Sequence, residues 1–177
     1  NATPGGVTNV DYADIKPNGT LGTWSAGSAL PAGAGTHMQT VHIYNDVLYN
    51  IGGFEGASTS SANMRSSVYY AKISQINGSL NTWTATTSFT TARASFGGSF
   101  TAVWGAYVYL GGGCTAVNAS GYCTTVASDT QIGSLNADGT ISEWGSINNL
   151  QNDRIGYNMI GWQNGLYRLG GCSQVNT

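Results

Sequence analysis

Charge is what this sequence has least of. Only 8% of its residues are Asp, Glu, Lys or Arg, against roughly 25% in an ordinary soluble protein. Such a surface has to be wetted by hydroxyls and amides, a style that suits secreted and cell-surface β-proteins. With six Lys plus Arg and a net charge of -2, there is no basic stripe to neutralise phosphates, which argues against a nucleic-acid partner. The same shortage leaves an anionic membrane surface without support. Long hydrophobic runs are also missing. The longest, Ala102 to Leu110, is about half the length of a spanning helix and is interrupted by Gly105, so membrane insertion is not expected. No basic segment followed by an apolar one stands at Asn1 to mark an export signal.

Chemistry-bearing motifs are equally scarce. The two histidines, His37 and His42, lie five residues apart on an expected strand and so face opposite sides, which disfavours a shared metal. There is no C-x-x-C pair for zinc or dithiol chemistry. Neither a G-x-S-x-G elbow nor an H-E-x-x-H helix occurs. Glycoside hydrolysis needs two carboxylates roughly 5 to 9.5 Å apart, whereas the eight acids here are scattered, mostly in turns. We therefore nominate no catalytic residue, metal ligand or cofactor.

What the chain does have is a sentence repeated three times, about sixty residues apart. An Asn-Gly or Asp-Gly turn leads to a tryptophan at Asn18-Gly19 to Trp24, Asn77-Gly78 to Trp83, and Asp138-Gly139 to Trp144. An apolar strand ending in paired glycines follows each, at Gly52-Gly53, Gly112-Gly113 and Gly170-Gly171. The repeat units run approximately over 9–53, 68–113 and 129–171. Each holds four short segments rich in Val, Ile, Tyr and Thr, separated by the Gly, Asn and Asp that tight hairpins require. No Pro-rich or charged linker divides residues 1–177, so the chain reads as one domain or part of one.

These residues resemble the Kelch-type β-propeller repeat. The match rests on the di-glycine with a tyrosine three residues before it (Tyr49, Tyr109, Tyr167) and on a tryptophan taken to close the fourth strand. It rests also on Arg93 and Arg154, each ten residues after its tryptophan, with Phe96 and Tyr157 three further on. The first unit departs from the pattern, with Ala34 in place of the arginine, which predicts a looser junction there. The resemblance implies an all-β propeller segment built of four-stranded antiparallel blades. It implies little about activity, because Kelch repeats occur in enzymes and binding proteins alike.

The cut points of the repeat predict half a blade, two whole blades and another half. The first half is expected at Asn9 to Ile15 and Thr20 to Trp24, the last at Tyr157 to Gly161 and Leu166 to Gly170. Propellers generally close with four to eight blades. Three blade-equivalents therefore call for missing blades from a longer chain, or for a second copy of this one. Cys114 and Cys123, nine residues apart in one loop, are expected to pair in an oxidising compartment. Cys172 occupies the equivalent of Cys114, and its counterpart to Cys123 would fall near position 181, which leads us to expect a longer parent sequence that supplies a cysteine there; the alternatives are a buried free thiol or a link between Cys172 and one of the other two cysteines.

Strand parity sorts the connections onto two ends. Tight turns at Asn18-Gly19, Asn45-Asp46, Asn77-Gly78, Asp138-Gly139 and Asn164-Gly165 share one end. The loops Phe54 to Arg65 and Thr115 to Ala127 share the other, with Arg93 and Arg154 nearby. Loops of that length on a rigid scaffold are where binding resides. The repeating tryptophans are read as packing between blades, as is most of the set Tyr44, Trp104 and Trp162 beside the hairpin turns. Repeated arginines more often bond loop carbonyls than ligands. The ligand candidates are the non-repeating Phe54 and Tyr122, with Glu55 and Arg65 as polar neighbours and Arg93 and Arg154 behind them. Sequons at Asn1, Asn18, Asn77 and Asn118 matter only in a glycosylating host. The expected function is non-catalytic: an extracellular or cell-surface adhesion module for a glycan or protein ligand. The alternatives are an enzyme whose catalytic groups lie outside this chain, and a structural subunit of a surface filament.

Overall fold

The structure, a computed structural model, describes residues 7–56 and 58–173; the Asn1 sequon lies outside them. It is all-β. The chain opens with a two-stranded sheet, β1 (Asp11–Tyr12) and β2 (Ser25–Ala26). A four-stranded antiparallel meander follows, formed by β3 (Thr40–Tyr44), β4 (Val47–Ile51), β5 (Val68–Lys72) and β6 (Thr84–Thr86). The next sheet takes β7 (Thr101–Trp104), β8 (Tyr107–Gly111), β11 (Thr130–Leu135) and β12 (Ile141–Ile147). Between its second and third strands stands a separate hairpin, β9 (Cys114–Val117) and β10 (Cys123–Val126). The last sheet is the hairpin β13 (Ile155–Trp162) and β14 (Gly165–Cys172). The order is half, whole, whole, half, as the repeat requires. The first and last sheets do not pair with each other.

The hairpins form where backbone chemistry favours them. Asn45 (φ 46°) and Asp46 (φ 59°) both take positive φ between β3 and β4, the signature of a tight turn matched to strand twist. At the third such hairpin the turn is Gln163-Asn164, one residue earlier than expected, with Gln163 at φ 48°. The terminal strands are also shifted. The first half-blade pairs only at Asp11–Tyr12 with Ser25–Ala26, plus a bridge from Ile15 to Leu21. Trp24 and Trp83 therefore precede their fourth strands instead of closing them, because pairing runs on past the indole.

The core lies between successive sheets. Val47, Tyr49, Ile51, Val68, Phe89, Phe100, Val108, Leu110, Ile141 and Tyr157 bury together there. The first strands β3, β7 and β13 sit side by side, where Thr40 Oγ1 meets Thr101 Oγ1 at 2.7 Å and His42 Nε2 meets it at the same distance. The first two di-glycines interlock one blade with the next. Gly53 N donates to Arg93 O (2.9 Å) and Gly113 N to Arg154 O (3.1 Å).

Ala34 does not loosen its junction. It is fully buried, and Tyr69 Oη and Asn50 Nδ2 donate to the carbonyls of Ala32 and Gly35 at 3.1 and 3.0 Å. Where the next blade has Asp129 facing Arg93, this one has Ser67, whose Oγ donates to Gly33 O at 2.7 Å. Both charges of the pair are replaced together, so no orphaned carboxylate remains.

Candidate functional site

The long connections do gather at one end of the sheets. Phe54 N donates to His37 O (3.0 Å) and Ala94 N to Cys114 O (2.9 Å), which ties the loops between second and third strands to those entering each blade. Beneath them lies a second core of Phe54, Met64, Ala94, Cys114, Cys123 and Ile155. Phe54 is fully buried in it, stacked on His37 with ring centroids 5.3 Å apart and edge-on to Phe96 at 6.1 Å. That removes Phe54 from the ligand candidates: its backbone is bridged on both sides, to His37 and Met64, and this draws the ring inward. The two histidines do not share a strand, since Met38 (φ 53°) ends the extended run before β3. Burial lowers the pKa of both, so both are neutral at pH 7.

Arg93 is the second correction. Its side chain is fully buried, forked onto Asp129 through Nη1–Oδ1 (3.0 Å) and Nη2–Oδ2 (2.9 Å), and Nη1 also donates to Gly112 O (2.8 Å). All its donors face the protein, so none is left for a ligand. Arg154 makes the equivalent bond, Nη1 to Gly170 O at 3.0 Å. Glu55 and Arg65 spend their charges on each other. Arg65 Nε donates to Glu55 Oε2 (2.8 Å), Nη1 to Ala62 O (2.9 Å), and Gly33 N donates to Glu55 Oε1 (2.6 Å). Arg65's hydrogen bonds, then Gly33's, hold the Glu55 carboxyl below its ordinary range. The pair braces the loop.

Tyr122 is the candidate left open to solvent, 63% exposed near the tip of the β9–β10 hairpin. The tip is locally rigid. Asn118 Oδ1 accepts from the backbone N of Ser120 and of Tyr122, each at 3.0 Å, and Cys114 at the start of β9 is disulfide-bonded to Cys123, which opens β10 opposite Val117. The hairpin also leans on the neighbouring blade: Val117 N donates to Ser61 Oγ at 3.0 Å, in the 3-10 turn Ser61–Asn63 of the other long loop. Two loops from adjacent blades thus make one rim. Ser61 and Asn118 were not nominated, because sequence spacing does not reveal a contact fifty-odd residues apart. The rim carries hydroxyls, amides and one free phenol, which suits hydrogen bonding and stacking. Among the described residues no three His, Cys, Asp or Glu side chains gather as a metal site.

Closing the nine-residue Cys114–Cys123 span is worth about 2–3 kcal/mol by loop-closure entropy. The Cys114→Ala/Cys123→Ala double variant is expected to lose about that much in urea unfolding. An unchanged midpoint would show that the rim is held by its hydrogen bonds alone.

No protein-family model and no curated protein sequence matches the chain. Among solved structures, that of YjhT is similar, with a TM-score of 0.64 and 10% sequence identity over 93% of this chain. The chain spans 56% of that structure's length. At this identity the likeness concerns the fold.

Proposed function

We propose that this chain is a non-catalytic binding module of the Kelch-like propeller type, working outside the cell or at its surface, which holds a glycan or a polar protein surface on its long-loop rim. The observation that carries the reading is the rim itself: two loops from neighbouring blades, hydrogen-bonded to each other and one of them closed by its own disulfide, present one exposed tyrosine among hydroxyls and amides. A disulfide fits an oxidising compartment. No helix among the described residues is long and apolar enough to cross a membrane. An aromatic face with adjacent amides is the chemistry that grips a sugar ring, and a rigid rim pays little entropy on binding.

The test is a glycan-array screen of the chain beside its Tyr122→Ala variant. Glycans retained by the parent are expected to bind the variant on the order of tenfold more weakly, about 1.4 kcal/mol. If they bind both equally, the site is not this rim. If the array is empty, the same comparison against protein ligands decides the remaining arm.

A further inference from the structure

The two rim loops touch at a second point besides the bond from Val117 N to Ser61 Oγ. Gly121, at φ +81°, lies against Thr59 of the neighbouring blade's loop, so closely that an added Cβ would collide with Thr59 Oγ1. A residue without a side chain is what permits that approach, and the left-handed backbone favours glycine as well. Thr59 therefore sits beside the exposed Tyr122, one residue further along the hairpin.

The polar groups that surround the tyrosine are all uncharged. Asn118 and Ser120 are exposed at the same tip. Both backbone bonds of the Asn118 side chain use Oδ1, and Ser120 is held through its backbone N. Among the described residues, Asn118 Nδ2, Ser120 Oγ, Thr59 Oγ1 and Tyr122 Oη have no hydrogen-bond partner in the protein, so they are available to a ligand. No Asp, Glu, Lys, Arg or His occurs from Gly56 to Met64 or from Cys114 to Ser128. The charges that flank these spans are already paired, Glu55 with Arg65 and Asp129 with Arg93.

A carboxylate or sulfate brought against this tip would lose water and meet no cation, which is unfavourable. A neutral pyranose meets no such penalty. Its C–H face covers the phenol ring, and its hydroxyls both donate and accept, as the amide and hydroxyl groups here require. A protein partner is served less well, because stable protein interfaces cover about 800 Å² a side around several aromatic or arginine anchors. Tyr122 is the one exposed large hydrophobic side chain of either loop among the described residues.

Resting on the reading of the rim as the binding site, we infer that it selects a neutral sugar ring of a glycan. It discriminates against rings that carry a uronate, sialate or sulfate group.

Matched probes test this: each neutral glycan retained on the array, and the same glycan with a C6 carboxylate on its terminal hexose. The neutral member is expected to bind the parent at least about fivefold more tightly than its uronate. Its dissociation constant is expected to change less than about twofold between roughly 20 and 500 mM salt. Ser120→Lys places a cation beside the ring while keeping the backbone bond to Asn118. That variant is expected to bring the uronate to within about twofold of the neutral glycan, an advantage lost at high salt. A uronate bound by the parent as tightly as its neutral partner overturns the proposal, and so does an array on which no neutral glycan is retained. In the first case a loss in Tyr122→Ala leaves the rim as the site. Neutral glycans bound equally by the parent and Tyr122→Ala overturn the rim reading itself, and the proposal with it.

Discussion

Replacing Arg93 with methionine is expected to destabilise the protein by about 3 kcal/mol in urea unfolding. The guanidinium is fully buried, makes a two-pronged bond to Asp129, bonds the Gly112 and Thr91 carbonyls, and sits 5.8 Å over the Phe89 ring. Breaking a buried pair costs about 3–5 kcal/mol, because the partner is left desolvated. Asp129 keeps 42% of its side chain exposed, so water takes over part of its solvation and the lower end applies. The same pair gives a pH signature. Burial works against ionisation of Asp129, but hydrogen bonds from Arg93 and Gln131, with Arg93's charge, outweigh it and hold the carboxyl below its ordinary value. A depressed folded-state value means the contribution is present above the unfolded carboxyl's value, about pH 4, and is lost as pH falls through the folded one. The methionine variant is therefore expected to show less acid sensitivity below about pH 4 than the parent. If it instead kept full stability and lost only ligand binding, Arg93 would be a ligand group after all.

Gly53→Ala is expected to cost about as much, 3 kcal/mol or more. Gly53 has φ +89°, and a Cβ there would lie 2.7 Å from both His37 O and Gln39 N. Both obstacles are backbone, so relief requires moving the loop that enters β3, and with it the bond from Gly53 to Arg93 O. The left-handed conformation adds about 1–2 kcal/mol for a residue with a side chain, and overpacking about 1–3. Gly19→Ala is the control, since it shares a positive φ of 80° with nothing within 4 Å of the added Cβ. It is expected to lose only about 1 kcal/mol. Equal losses at the two positions would show that the di-glycine is needed for its torsion angles and not for close approach between chain segments.

The candidate site was only partly legible. Placing the long loops on one end needed nothing beyond strand parity, and the Cys114–Cys123 bond followed from two thiols sharing one loop. Tyr122 was readable as an aromatic outside the repeat. Phe54 satisfied the same criterion and is buried, because non-repetition says nothing about which way a loop folds. Glu55 and Arg65 read in the sequence as polar neighbours of the ligand candidates, yet they neutralise each other across ten residues. Arg154, a repeated arginine, bonds the loop carbonyl of Gly170.

By itself the sequence determined the all-β architecture and its division into half, whole, whole and half. Those features come from local chemistry: residues that tolerate positive φ end strands, and β-branched and aromatic runs extend between them, whatever lies elsewhere. Only the tertiary structure decided which side chains meet solvent. Arg93 is neutralised by Asp129 in a different strand, and Trp83 is hidden because Ser28 of the previous unit lies over it, whereas its repeat-mate Trp24 is bare. Burial is set by the neighbouring blade, and a repeat that writes each blade alike cannot record which neighbours are present.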